Sequence, residues 1–149
     1  MTEGYLLFLL SGRTFGVKLD GAIEILPWRS SRTVPLSYSY VEGLLDYRGT
    51  VYPVFNLRHQ LGLVKQGPIG FSTVAATSNP EGQSIILLAV NKNPLGIVVD
   101  SVVNMAKLAD PPQGQVKVQG VDPKFVRGIA FEGNREIMIL DAERLLHAG

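Results

Sequence analysis

Short apolar runs of five or six residues recur along the chain, separated by clusters of Gly, Asn, Ser and Pro. The clearest occupy residues 5–10, 15–19, 51–55, 85–90, 95–99 and 136–140. They are rich in β-branched or aromatic residues, which predicts strands rather than helices. Their apolarity is continuous rather than alternating, so these strands are predicted to be covered on both faces. Pro53 cannot donate a ladder hydrogen bond, which predicts that its strand lies at an edge or carries a bulge. Two short helical turns close the pattern. Asn56 is a candidate N-cap for residues 57–61, which end at Gly62, and Asp141 is one for residues 142–146.

The pattern repeats. Shifted by 80 positions, Tyr5-Leu-Leu-Phe-Leu-Leu10 falls on Ile85-Ile-Leu-Leu-Ala-Val90, and Phe15-Gly-Val-Lys-Leu-Asp20 on Leu95-Gly-Ile-Val-Val-Asp100. Ala22-Ile-Glu-Ile25 falls on Val102-Val-Asn-Met105. Shifted by 85, Tyr40-Val-Glu-Gly-Leu-Leu45 falls on Phe125-Val-Arg-Gly-Ile-Ala130, and Val54-Phe-Asn56 on Ile139-Leu-Asp141. The difference of five predicts an insertion around Pro111-Pro112-Gln113-Gly114. Two copies at this period indicate a duplicated small domain, not a solenoid. The expected fold is all-β: two small five-stranded antiparallel barrels related by approximate two-fold symmetry, with short helical turns. The first barrel is expected over about 5–62 and the second over about 84–146. The connector 63–83 has turn signals at Gly67-Pro68 and Asn79-Pro80-Glu81-Gly82, and residues 72–77 are a candidate extra strand.

Composition narrows the function. The chain has 149 residues, 46% apolar and 18% charged, with a net charge of +1, so it suits a single folded domain with little electrostatic pull toward DNA or an anionic membrane. It has no cysteine, which removes disulfides and thiolate metal sites and fits a reducing cytoplasm. Neither a signal peptide nor an apolar run long enough to span a bilayer is read, so a cytoplasmic protein is expected.

Candidate chemistry is sparse. The histidines, His59 and His147, lack metal-ligand spacing and read as surface residues. No nucleophile elbow, P-loop or dinucleotide glycine pattern occurs, and no cofactor is implied. Asp20 and Asp100 form a repeat-related carboxylate pair, but such pairs more often close the same turn twice than catalyse. Arg29, Arg32, Arg48 and Arg58 accompany Trp28 and several tyrosines, a composition that small nucleic-acid-binding barrels use. Glu24, Glu42 and Asp46 interrupt that cluster, so a solvated face accounts for it better.

The string Phe15-Gly-Val-Lys-Leu-Asp-Gly-Ala-Ile-Glu-Ile-Leu26 with Val34-Pro35, and Val41-Glu-Gly-Leu-Leu-Asp-Tyr-Arg-Gly-Thr-Val-Tyr-Pro-Val-Phe-Asn-Leu-Arg58, resemble the first half of CheW-like domains. Leu95-Gly-Ile-Val-Val-Asp-Ser-Val-Val103, Val126-Arg-Gly-Ile-Ala130 and Ile137-Met-Ile-Leu-Asp-Ala-Glu-Arg-Leu-Leu146 resemble the second. The resemblance implies a scaffold without an active site. Its expected partners are the cytoplasmic tip of chemoreceptors and the chemotaxis histidine kinase, whose regulatory domain shares the fold. A related kinase pathway, for pili or another output, is the alternative. Arg48 matches the family's arginine and Glu24 its acidic residue, and an ion pair between them is expected to order the groove between the barrels. Ala22, Ile23, Val102 and Val103 match the neighbourhood of the receptor-facing region, and Gly43 is expected to keep the groove floor clear. Asp46-Tyr47 replaces the family's usual Asn-Leu, Asn56 replaces a usual Asp, and the usual proline near Ser37-Tyr38 is missing. Asp46 therefore joins the candidate docking residues.

Overall fold

The computed structural model describes residues 2–35, 40–63, 82–111 and 120–147. The predicted strand at 72–77, the turns at 67–68 and 79–81, the insertion beyond Pro111 and the Ser37-Tyr38 departure lie outside the described residues.

The first repeat supplies β1 (Thr2–Leu10), β2 (Arg13–Lys18), β3 (Ala22–Pro27), β4 (Val41–Tyr47), β5 (Thr50–Asn56) and α1 (Leu57–Gln60). The second supplies β6 (Ser84–Val90), β7 (Asn93–Val99), β8 (Ser101–Ala109), β9 (Val126–Glu132), β10 (Arg135–Leu140) and α2 (Ala142–Leu146). Short 3-10 turns at Leu19–Gly21 and Pro123–Phe125 precede β3 and β9. The side chain of Asn56 accepts from the His59 N–H and that of Asp141 from the Arg144 N–H, so both helical turns are capped as their sequences predict.

Two five-stranded sheets result, ordered β8-β1-β2-β10-β9 and β3-β6-β7-β5-β4. The all-β class, the strand number and the short helical turns agree with the sequence. Three details do not. The sheets are not closed into barrels, and each contains one parallel pairing, β2 with β10 or β7 with β5. Nor does each half of the chain build its own sheet. The hairpin β1–β2 joins β8, β9 and β10 of the second repeat, and β6–β7 joins β3, β4 and β5 of the first. Exchanging the repeats converts one strand order into the other. Pro53 sits in an internal strand: β5 pairs with β4 along its length, but its ladder to β7 begins only at Val54. The missing N–H therefore falls outside the β7 ladder, where it costs nothing.

The exchange explains the continuous apolar runs. In β1, Leu6, Phe8 and Leu10 enter a central core with Ile86, Leu88 and Val90 of β6. The alternate residues Tyr5 and Leu7 enter a separate cluster with Ile137 and Ile139, while Ile85 and Leu87 pack with Leu45, Val54 and Val98. Both faces of the first hairpin in each repeat are covered, one by its own sheet's curvature and one by the opposite sheet. At about 25 cal/mol per Å² of apolar surface buried, this shared core is what binds the repeats into one unit.

Candidate protein-docking site

In the second sheet the end strands β3 and β4 are linked by side chains. The Tyr47 hydroxyl on β4 donates to Glu24 Oε1 on β3 at 3.4 Å. The same ring carries the Arg48 guanidinium 5.3 Å from its centroid and that of Arg29 at 6.0 Å. Beside it, Arg32 and Asp46 form an exposed ion pair at 3.3 Å. Tyr47 thus brings Glu24 and Arg48 together, while Asp46 engages Arg32. The expected direct Glu24–Arg48 ion pair does not form: the phenol stands between them, accepting one partner on its face and donating to the other. Glu24 and the turn residue Arg48 both belong to the second sheet.

Arg48 is the first residue of the two-residue β4–β5 turn and has φ +51°, a conformation costly for a residue with a Cβ. Its repeat equivalent, Gly133, opens the β9–β10 turn at φ +64° without that cost. Gly43 is buried, and a Cβ there would lie 2.1 Å from the Arg32 carbonyl oxygen and 2.7 Å from Ser31 Oγ. Its role is close approach: Arg32 bridges to Leu44 over it by two backbone hydrogen bonds of 2.8 Å, which positions Arg32 to meet Asp46. Ala22 and Val102 pack against the central core, whereas their neighbours Ile23 and Val103 are 47% and 37% exposed. Val102 and Val103 lie on β8, in the other sheet.

That other sheet carries residues which sequence reasoning missed. Met105 on β8 and Phe131 on β9 are 65% and 59% exposed, more than Ile23 and Ile25 on β3 at 47% and 44%. The repeat offsets were a usable signal: Phe131 stands where Asp46 stands, and Met105 where Ile25 stands. Here Asn104 Nδ2 donates to Glu132 Oε2 at 3.3 Å across the end strands, and Arg135 binds the same carboxylate, holding it below the usual carboxylate range.

Near the sheet junction, Glu42 accepts from Asn56 Nδ2 at 3.1 Å. Burial raises its carboxyl above the ordinary value, against the smaller opposing effects of Asn56 and His59. Asp100 binds the Arg58 guanidinium and accepts the Ser11 N–H at 2.8 Å. Asp20 lies apart, so the two repeat-related aspartates do not do the same job. Among the described residues, no group of three or more His, Asp or Glu is placed to hold a metal.

The family model for the CheW-like domain matches residues 4–149. The chemotaxis protein CheW of Treponema pallidum is 24% identical over 143 residues, covering 93% of this chain and 78% of that protein. CheW of Thermotoga maritima is 27% identical over 128 residues, covering 83% and 75%. The crystal structure of the scaffolding protein TtCheW from Thermoanaerobacter tengcongensis superposes with a TM-score of 0.79 at 23% identity, over 100% of this chain and 95% of that one. It shares the fold. With the repeat, the two exchanged sheets and a family match over almost its whole length, this chain belongs to the CheW-like domain family.

Proposed function

We propose that this protein is a non-catalytic cytoplasmic adapter that couples the tips of chemoreceptors to a CheA-type histidine kinase in chemotaxis signalling. The observation that carries the proposal is the contrast between its two equivalent sheet edges. One carries the charged cluster around Tyr47 beside exposed Ile23 and Ile25, and the other carries Met105 and Phe131, the two most exposed large apolar side chains among the described residues. An adapter needs two unlike surfaces on one rigid frame, and a duplicated fold supplies them by divergence of matching positions. The charged edge suits the polar helical surface of a receptor tip, where Arg48 and Glu24 set orientation. The edge with Met105 and Phe131 suits the regulatory domain of the kinase, a preformed partner against which exposed aromatic and Met side chains can be buried.

The test is a reconstituted complex of receptor, kinase and this protein, read by receptor-dependent stimulation of kinase autophosphorylation. Arg48→Ala is expected to lose receptor co-sedimentation while keeping kinase binding, and Phe131→Asp the reverse. Binding of both partners unaffected by both variants would overturn the assignment of the edges. Failure of the wild-type protein to stimulate the kinase would overturn the function.

A further inference from the structure

At the junction of the two sheets, where the end of β6 meets the turn after β2 and the start of α2, lies a cavity of about 340 Å³. Its polar lining comes from Lys18, Asp20, Asn91, Arg127, Asp141 and Glu143. The repeat places an equivalent seam on the other side of the molecule, and there the chain closes it from within. Asp100 stands for Asp20, Arg58 for Glu143, Ser11 for Asn91 and Glu42 for Arg127. Arg58 extends its guanidinium to Asp100, whose second oxygen takes the Ser11 N–H. The strands follow suit: β8 pairs with β1 as far as Ser101 opposite Leu9, whereas β3 begins pairing with β6 only at Ala22 opposite Leu88.

In the open seam the carboxylate–guanidinium pair is replaced by two carboxylates, Asp20 and Glu143. These repel each other and cannot draw the walls together. Among the described residues, neither has an ion-pair partner, while Lys18 is paired with Glu3 and Asp141 with Arg144. With two unpaired carboxylates against one guanidinium, that of Arg127, the lining is short of one positive charge. The volume falls at the small end of the roughly 300–1,000 Å³ typical of ligand sites.

We propose that this cavity is a socket for the guanidinium of an arginine side chain presented by a partner protein, with Asp20 and Glu143 doing what Asp100 does for Arg58. The occupant follows from the sister seam, in which this same framework already holds a guanidinium on the equivalent carboxylate. A planar fork can engage carboxylates on two walls at once, and guanidinium sheds water more readily than an ammonium does. The test of the socket needs neither receptor nor kinase.

The test is a backbone-amide NMR titration of the full chain with N-acetyl-arginine-N-methylamide at constant ionic strength. Saturable shifts are expected at Asp20, Gly21 and Glu143. Asp20→Asn and Glu143→Gln should each weaken the affinity about two- to fivefold, the loss of one contact to an exposed carboxylate. The matching blocked lysine should shift the same amides more weakly. Glu143→Arg should abolish the titration and raise the melting temperature, because it rebuilds the internal pair of the sister seam. Non-saturable shifts, shifts undiminished in both carboxylate variants, or equal affinity for the blocked lysine would overturn the proposal. So would binding of free arginine but not of the blocked form, which would make the site one for a small molecule.

Discussion

Gly43→Ala is expected to be severe although it adds one methyl group. The new Cβ would sit 2.1 Å from the Arg32 carbonyl oxygen and 2.7 Å from Ser31 Oγ. The first obstacle is backbone, so no rotamer change relieves it, and the crossing segment must move. That movement puts at risk the two 2.8 Å hydrogen bonds between Arg32 and Leu44, each contributing about 0.5–1.5 kcal/mol net. Overpacking adds about 1–3 kcal/mol, and the stiffer unfolded chain returns about 0.4–1 kcal/mol. The balance is a destabilisation of about 1–5.6 kcal/mol, or a fall in melting temperature of about 2–22 °C for a chain of this size. Urea unfolding followed by Trp28 fluorescence would measure it as a lower midpoint with an unchanged slope. Two other glycines set the scale. At Gly16 a Cβ would meet side-chain ends of Ile139 and Leu7 at 3.1 Å, and at Gly96 nothing closer than 3.4 Å. The expected order of damage is Gly43, then Gly16, then Gly96, whose alanine variant should stay within about 1 kcal/mol of wild type. A Gly43→Ala midpoint equal to that of Gly96→Ala would refute the close-approach role of Gly43.

Arg48→Asn should raise stability by about 0.5–1 kcal/mol in thermal melts, because Asn tolerates the positive φ that Arg48 adopts, yet it should reduce receptor-dependent kinase stimulation. Arg58→Met should cost about 1–3 kcal/mol in urea titrations, since Arg58 and Asp100 are only 23% and 25% exposed and Asp100 would be left half-buried and uncompensated. Glu42→Gln should stabilise the protein at neutral pH. A carboxyl raised in the folded state binds its proton more readily there than in the unfolded chain, so its unfavourable effect appears as pH rises through the folded value. The stabilisation by Glu42→Gln should therefore shrink as the pH of the melts is lowered through the raised folded value, and be gone below about pH 4.5, the ordinary value for this group.

The repeat, the strands, both helix caps and the all-β class were legible because each rests on local chemistry: apolar runs, turn residues and capping side chains. The strand exchange was not. An offset identifies which segments are equivalent, but β1–β2 would satisfy the same hydrophobic pattern beside β5 or beside β10. Only packing chooses, by covering both faces of Leu6-Leu7-Phe8. The site was legible in part. Glu24 and Arg48 meet at the ring of Tyr47, a residue that stood out in the sequence only as half of a departure from the family pattern, so its linking role was not read from it. Ala22 and Val102 could not be told from Ile23 and Val103 by type, because the β3 register shifts between Ala22 and Glu24 and upsets simple alternation.

The repeat also shows which parts of the surface the frame leaves free to change. Across the end strands of one sheet Tyr47 donates to Glu24, and across those of the other Asn104 donates to Glu132. Glu24 and Asn104 are equivalent at the offset of 80, Tyr47 and Glu132 at the offset of 85. The link is kept at matching positions while donor and acceptor have changed sides, so the frame requires a clasp there but not a particular pair of residues. Each clasp could therefore acquire different company: the tyrosine gathers two guanidinium groups in one sheet, and the acid gathers Arg135 beside an exposed Phe131 in the other. The junction seams follow the same logic with the opposite outcome, since swapping Arg58 for Glu143 does not preserve the link but opens it. Divergence at a clasp alters what a partner meets on the surface, whereas divergence at a seam creates a place for a partner to enter.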